Sequence, residues 1–149
     1  MSHATEWLIS NNPNLQAVCC IYPTAPFLSY LDIKKGFEVL ESTGSIYAFS
    51  TTEYESSVFR ALTENDKGEL EMLYPQYYST RTQDLPISFF DAAQFYWGRP
   101  KAWIEKKEIF AEHSKPVSIP YWRVVDIDTP DDLERATMLA ELIFSRLNS

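Results

Sequence analysis

A short, continuously apolar run near the beginning of the sequence limits the folds that are open to this chain. Residues 15–22 read LQAVCCIY, with Pro13 before them and the loop PTAPF after them. A run of this length without alternation is typical of a strand that is buried on both faces, as in the parallel sheets of α/β proteins. The run therefore predicts a central strand, with the PTAPF loop at its carboxyl end, where open α/β sheets bind ligands.

Helix-like and strand-like segments alternate along the rest of the chain. Ser29 has the position of an N-cap before the helical segment YLDIKKGFEVLEST. Three apolar residues of that helix are the expected core contacts: Leu31, Phe37 and Leu40. A second buried strand is expected at residues 45–54, and a last strand within residues 117–128, VSIPYWRVVDID. The alternation predicts one α/β domain over residues 1–149.

The middle of the chain interrupts this alternation. Residues 57–75, SVFRALTENDKGELEMLYP, hold two short strand-like runs joined by Asn-Asp-Lys-Gly, which is a hairpin signal. A further strand is expected from about Asp91 to Gly98. The sequence thus predicts an antiparallel insertion over about residues 55–97.

Composition and charge exclude several classes of protein. The 13 Lys and Arg residues face 21 Asp and Glu residues, a formal charge of −8, which argues against a nucleic-acid binder with its usual basic surface. No stretch approaches the roughly 20 apolar residues that cross a membrane, and the first residues do not resemble a signal peptide. Cys19 and Cys20 are neighbours, which would point to opposite faces of a strand and so leave both thiols free. We expect a cytoplasmic protein with reduced cysteines.

Two aspartates in the segment RVVDIDTPDD, residues 123–132, indicate the chemistry. If this segment is a strand, Asp126 and Asp128 lie on one face, and their like charges disfavour each other. A divalent cation removes that repulsion, and Mg²⁺ typically binds to one or two carboxylates and to substrate phosphates. The next helix is expected to begin with Thr129 as N-cap, followed by Pro130 and, three residues after the cap, by Asp132.

A structural interpretation of the same aspartates remains open. Asp128 could simply help to begin the helix, and Asp126 could be solvated. A calcium-binding loop of the EF-hand type fits poorly, because the turn glycine is missing and Pro130 lies inside the segment.

Four segments together resemble one enzyme family. CCIYPTAPFL, RTQDLP, DAAQFYWGRP and DIDTPDD occur in this order in the acylneuraminate cytidylyltransferases, and the chain is most similar to their pseudaminic acid branch. The resemblance implies a Rossmann-like nucleotide-diphospho-sugar transferase fold with three layers and a mixed sheet. It also implies a homodimer, in which the antiparallel insertion reaches the partner subunit. The implied reaction is Mg²⁺-dependent transfer of CMP from CTP to a nine-carbon acidic sugar, with release of pyrophosphate.

The resemblance also implies roles for particular residues. The Asp-Ile-Asp motif of the family holds the catalytic metal, which here gives Asp126 and Asp128. The loop near the nucleotide corresponds to these residues: Tyr22, Pro23, Thr24 and Pro26. The acidic sugar would contact these residues: Arg81, Gln83, Asp84, Gln94 and Tyr96. Taken alone, Arg81 could be an ordinary surface arginine, and Tyr96 could be a core aromatic residue.

One family motif has no counterpart in this sequence. The family begins with a segment like Ala-Arg-x-Gly-Ser-Lys-Arg, which holds the CTP phosphates, and no such segment occurs here. We therefore expect an N-terminally truncated member that is weakly active or inactive by itself, because phosphoryl transfer depends on positioning and charge neutralisation. The alternative is a non-catalytic homologue that serves as a sugar-binding or dimerisation module.

Overall fold

The computed structural model describes the backbone of residues 1–147 and the side chains of residues 1–143. Within these residues the helices are α1 (Ser2–Asn11), α2 (Tyr30–Thr43), α3 (Pro100–Ile104) and α4 (Pro130–Leu147). The strands are β1 (Val18–Ile21), β2 (Tyr47–Glu53), β3 (Leu62–Glu64), β4 (Leu70–Met72), β5 (Phe89–Gly98) and β6 (Ser114–Ser118). Two compact units result, one formed by Met1–Thr52 together with the chain from Asp91 onward, and the other by Glu53–Phe90.

The larger unit contains a mixed four-stranded sheet in the order β1-β5-β2-β6. Strand β1 pairs with β5 in antiparallel fashion, and β2 pairs with β6 in parallel fashion. The prediction of a central, doubly buried strand at residues 15–22 is therefore wrong. β1 is an edge strand of the sheet that the described residues form, so Val18 is buried whereas Ile21 is 48% exposed. The prediction of a buried strand at 45–54 is confirmed by β2, in which only Glu53 is exposed.

Apolar side chains fill both faces of this sheet. Consecutive residues of a strand point to opposite faces, and Tyr47 and Ala48 of β2 accordingly enter different core clusters. One cluster includes Trp103 of α3, and partly buried Leu8 of α1 packs against it. The other includes Leu40 of α2. Helices thus cover both faces, which is the α/β organisation expected from the alternation.

Helix α2 begins and ends as its sequence predicts. The Ser29 hydroxyl accepts a hydrogen bond from the Leu31 backbone N–H, and Gly44 ends the helix with φ 64° in the left-handed region. Leu40 is fully buried, as expected, but the core role predicted for Leu31 and Phe37 is wrong. Leu31 is 60% exposed and Phe37 is partly exposed, because the face around Leu40 is the one that meets the sheet.

The last predicted strand is displaced from its expected place. Strand β6 covers Ser114–Ser118, a short 3-10 helix follows at Tyr121–Arg123, and residues 124–128 form no strand. The start of α4 agrees with the prediction. The Thr129 hydroxyl accepts from the Asp132 backbone N–H, and the Asp132 carboxylate accepts in return from the Thr129 backbone N–H.

The smaller unit contains the predicted hairpin. Strands β3 and β4 pair in antiparallel fashion, and the Asn65 carboxamide oxygen accepts from the backbone N–H groups of Lys67 and Glu69. Gly68 has φ 77°, a value that glycine adopts without strain. The unit ends at Phe90, so most of β5 belongs to the larger unit rather than to an insertion over 55–97. The dimerisation role of the insertion stays a prediction.

Among the described residues, no helix has the length and apolar character needed to cross a membrane.

Candidate active site

The loop after β1 lies directly beside the aspartate segment. The Ile127 backbone N–H donates to the Thr24 carbonyl at 3.1 Å, and the Tyr22 backbone N–H donates to the Gln94 carbonyl of β5 at 3.0 Å. The loop after β1, strand β5 and the aspartate segment thus meet at the end of β1. The residues predicted from the family resemblance to contact nucleotide and metal lie side by side.

Asp126 has an unusual environment for a carboxylate. Its Oδ1 atom is buried and makes no hydrogen bond within the part of the chain that the structure describes. Its neighbour Val125 is almost completely buried. A buried, unpartnered charged oxygen is unfavourable, because it has lost water without gaining another donor. The alternative in which Asp126 is simply solvated therefore does not hold for this oxygen.

Asp128 differs from Asp126 in its exposure. Its side chain belongs to an exposed residue, and its backbone N–H donates to the Asp132 carboxylate at 3.3 Å. The strand geometry from which we predicted a shared face is wrong, since residues 124–128 have no strand partner. The helix is begun by Thr129 and Asp132, not by the Asp128 side chain. Asp128 is thus left available for a ligand.

The residues at this position fit a magnesium ion better than a protein-only metal cage. No group of three or more His, Cys, Asp or Glu side chains that could hold a metal occurs among the described residues. Mg²⁺ commonly takes only one or two carboxylates and completes its shell with water and phosphate oxygens. The free Oδ1 of Asp126 is an oxygen ligand of the right type.

Of the two acidic residues in the first turn of α4, Asp131 and Asp132, the second is hydrogen-bonded within the protein. Asp132 accepts from the Thr129 hydroxyl at 2.6 Å. This hydrogen bond is the main reason that the pKa of the Asp132 carboxyl lies below its usual range. Asp132 therefore stabilises the start of the helix, and its carboxylate is already engaged by Thr129.

The loop that follows β1 presents part of its surface to solvent. Tyr22, Pro23 and Pro26 are exposed, whereas Thr24 is half-buried and Ala25 is buried. The Ala25 backbone N–H donates to the Tyr22 carbonyl at 3.4 Å, which closes a turn. Buried Ala25 fixes the turn, so that the exposed residues can face a ligand.

Tyr96 and Gln94 of β5 lie beneath that loop. The Tyr96 hydroxyl donates to Asp91 Oδ2 at 2.5 Å, and its ring centroid lies 5.2 Å from that of Tyr22. Burial and the Asp91 carboxylate raise the pKa of Tyr96 well above its usual range, so the hydroxyl stays protonated. The Gln94 side chain is fully buried, and its Nε2 donates to the Arg123 carbonyl at 2.9 Å. Both side chains support the site from within, and their contact with a sugar stays a prediction.

The predicted sugar-binding motif belongs to the smaller unit. Arg81 precedes a short 3-10 helix, and its Nε donates to Asp84 Oδ2 at 2.8 Å on an exposed surface. Gln83 is exposed as well. The Arg81 side chain is 73% exposed, and its planar guanidinium is of the type that suits a carboxylate.

Comparisons with known proteins identify the family. No protein-family model matches the chain. Two pseudaminic acid cytidylyltransferases of Campylobacter jejuni, from serotypes O:23/36 and O:2, are each 38% identical to it over 139 residues, or 93% of the chain. By sequence, the chain is a homologue of these cytidylyltransferases. It spans 60% of the length of these two relatives. A Helicobacter pylori protein, named as a pseudaminic acid cytidylyltransferase and a UDP-2,4-diacetamido-2,4,6-trideoxy-β-L-altropyranose hydrolase, is 30% identical over 111 residues. That match covers 73% of the chain and 21% of the relative.

The family assignment made from four ordered motifs is thus confirmed, but the motifs missed several supporting residues of this cytidylyltransferase homologue. Ser50 of β2 accepts hydrogen bonds from the backbone N–H groups of Gln94 and Phe95. Arg123 pairs with Asp32 across 91 positions of sequence. Ser50 lies in a Ser-Thr-Thr run inside a buried strand, which is a usable signal for a buried hydrogen-bonding role. No feature of the sequence indicates the Arg123 pairing.

Proposed function

We propose that this protein transfers CMP from CTP to a nine-carbon acidic sugar of the pseudaminic or sialic acid type, with Mg²⁺ as cofactor and release of pyrophosphate. One observation supports this most directly. The hydrogen bond between Ile127 and Thr24 joins the nucleotide loop to the segment in which Asp126 keeps a buried, unpartnered oxygen. The α/β mixed sheet is consistent with a Rossmann-like nucleotide-diphospho-sugar transferase fold.

Different residues of the chain bind the metal, the nucleotide and the sugar. Asp126 and Asp128 hold the Mg²⁺ ion, which when bound neutralises negative charge on the phosphates. The loop after β1 contacts the nucleotide through four residues: Tyr22, Pro23, Thr24 and Pro26. The guanidinium of Arg81 binds the carboxylate of the sugar, with Gln83 and Asp84 beside it.

The reaction is a displacement at phosphorus. A hydroxyl oxygen of the sugar forms a new bond to the α-phosphorus of CTP, and the bond from that phosphorus to the pyrophosphate oxygen breaks. The hydroxyl proton passes to solvent. The contribution of this chain is positioning and charge balance, which account for most of catalysis in phosphoryl transfer.

A turnover assay with three variants tests the proposal. The 149-residue chain is incubated with CTP, Mg²⁺ and pseudaminic acid, and both pyrophosphate and the CMP-sugar are measured. We expect slow formation of both products, a loss of about 100-fold or more in Asp126→Asn and in Asp128→Asn, and no loss in the control Asp131→Asn. Equal rates in all four proteins would contradict the assigned metal site.

A second arm separates the enzyme from a non-catalytic module. The chain is titrated by calorimetry with pseudaminic acid alone and with CTP plus Mg²⁺. Binding of both ligands supports the transferase. Binding of the sugar without any binding of CTP favours a sugar-binding module and refutes transfer by this chain.

The same proposal includes a homodimer in the cytoplasm. Several apolar side chains of the Glu53–Phe90 unit are largely exposed: Leu62, Leu70, Leu73, Tyr78 and Ile87. Exposed apolar patches commonly mark interfaces. Light scattering after gel filtration should give a dimer for the wild type and for Met138→Glu in the larger unit, but a monomer for Leu70→Glu. A monomeric wild type would refute the dimer, and cell fractionation tests the location.

A further inference from the structure

We infer that Arg123 is a positioning residue that, together with Asp32 and Gln94, fixes the Asp126 segment in the conformation that receives the cation. The inference rests on the proposed metal site, and it assigns a function to three residues outside the Asp-Ile-Asp motif. None of the three needs to touch the metal or a substrate.

The side chain of Arg123 is held by a partly buried ion pair. Its Nη1 atom donates to Asp32 Oδ2 at 2.5 Å, and the two side chains are only 18% and 13% exposed. Asp32 belongs to the first turn of α2, so the pair connects residue 123 to a helix whose N-cap is fixed by Ser29. In such a poorly solvated place the loss of one partner leaves an uncompensated charge, which keeps the pair together.

The backbone of Arg123 is held independently of its side chain. The Gln94 Nε2 atom donates to the Arg123 carbonyl at 2.9 Å, and the Gln94 side chain has no solvent exposure. Gln94 lies in β5, inside the four-stranded sheet. Residue 123 is therefore attached to a helix through its side chain and to the sheet through its carbonyl.

The far end of the same segment is attached as well. The Ile127 backbone N–H donates to the Thr24 carbonyl, and Asp126 lies between the two attachments. The segment has no strand partner, so these bonds hold it together with the packing of buried Val125 and the bond from the Asp128 backbone N–H to Asp132. A free segment would turn the buried Oδ1 of Asp126 toward water, since that oxygen has no donor where it is. The attachments prevent this, and the oxygen is kept ready for a cation.

Another ion pair of the larger unit provides a matched control. Arg99 Nη1 donates to Glu41 Oε1 at 2.5 Å, and Arg99 Nη2 also donates to the Leu40 carbonyl. This pair likewise joins an arginine to α2, but it lies near the other end of the helix and makes no bond to residues 123–127. The side chains of this pair are 28% and 40% exposed, against 18% and 13% for Arg123 and Asp32, so its loss should cost less stability and should leave residues 124–128 unaffected.

The experiment combines two measurements on the metal-free and Mn²⁺-loaded chain. Backbone amide exchange of residues 124–128 is measured without metal, and Mn²⁺ affinity is measured by electron paramagnetic resonance. Asp32→Asn keeps the shape of the side chain and should accelerate the exchange and weaken Mn²⁺ binding by about tenfold or more. Arg123→Lys, which keeps the charge, should accelerate the exchange and weaken Mn²⁺ binding to a smaller extent. Glu41→Gln should change neither the exchange of residues 124–128 nor the Mn²⁺ affinity.

The outcomes separate the positioning role of Arg123 from the proposed metal site. Unchanged amide exchange in both Asp32→Asn and Arg123→Lys overturns the positioning role, whatever the metal does. Equal effects of Asp32→Asn and Glu41→Gln on Mn²⁺ affinity also overturn it, because the role would then be general stability. If the wild-type chain binds no Mn²⁺, the proposed metal site fails and the cation part of this inference fails with it.

Discussion

Replacement of Asp126 by asparagine should make the metal-free protein more stable and the magnesium-containing protein less stable than the wild type. In the absence of metal, Asp126 Oδ1 is buried without a donor. Such an oxygen costs about 1–3 kcal/mol, and more when it carries charge. Asparagine keeps the shape and removes the charge, although its amide still lacks full pairing. We therefore expect Asp126→Asn to gain about 1 kcal/mol, which raises the melting temperature by about 2–4 °C in a chain of this size.

Magnesium should reverse this order. A ligand that binds only the folded state stabilises it by RT ln(1 + [L]/Kd), or about 1.4 kcal/mol at ten times the Kd. The variant lacks one of the two carboxylates and should gain little. The two stability curves should then cross at roughly five times the wild-type Kd, where the metal term reaches about 1 kcal/mol.

Thermal unfolding over a series of Mg²⁺ concentrations tests both parts. Asp128→Asn serves as the matched variant, because its exposed carboxylate should change the metal-free stability by less than about 0.5 kcal/mol while still removing the Mg²⁺ response. Asp131→Asn, also exposed, should behave as the wild type at every concentration. A wild type that does not respond to Mg²⁺, or an Asp126→Asn variant that is less stable without metal, would refute the reasoning.

Three further predictions concern stability and can be checked by urea unfolding. Gly36→Ala should destabilise the protein by roughly 1–3 kcal/mol, because the new Cβ would stand 2.5 Å from Cε2 of buried Phe95. This clash should outweigh the ~1 kcal/mol by which alanine stabilises a helix relative to glycine, and an unchanged unfolding midpoint would contradict it. Ala93 has φ 49°, so Ala93→Gly should stabilise by up to about 1 kcal/mol, and a loss would argue against strain there. Burial raises the pKa of the Cys19 thiol from 9.0 to about 12. Its contribution is therefore complete below pH 9 and is lost as the pH rises toward 12; Cys19→Ala should flatten that decline, and an equally steep decline would refute it.

The element boundaries that depend on local chemistry could be predicted from the sequence. Ser29, the Asn65 turn and the Thr129–Asp132 pair each make their hydrogen bonds with residues two to four positions away. Such bonds are set by the order of residue types alone. The structure accordingly confirms the start of α2, the β3–β4 hairpin and the start of α4.

Features that depend on distant neighbours could not be predicted in the same way. The apolar run that contains β1 resembles an inner strand, yet β1 has a partner on one side only within the described sheet. The alternating residues of VVDID resemble a strand, but a strand needs a neighbouring backbone, and here Thr24 supplies one hydrogen bond. The Asp32–Arg123 pair spans 91 positions, so no sequence spacing indicates it. Periodicity reports which side chains alternate, and it does not report what lies beside them.

The candidate site depends on an irregularity in β5 that no periodic pattern contains. In a regular strand, consecutive backbone N–H groups point to opposite sides. Here the N–H groups of Gln94 and Phe95 both donate to the Ser50 hydroxyl oxygen, so the strand is bulged at this point. Ala93, with its positive φ, begins the bulge, and the Asp91 carboxylate accepts from its backbone N–H. At this point the Gln94 carbonyl accepts from the Tyr22 backbone N–H of the loop after β1, while the Gln94 side chain donates to the Arg123 carbonyl. Gln94 therefore connects the strained backbone of β5 to Arg123, three positions before Asp126 with its buried oxygen. Both unfavourable features lie where the proposed chemistry needs fixed geometry.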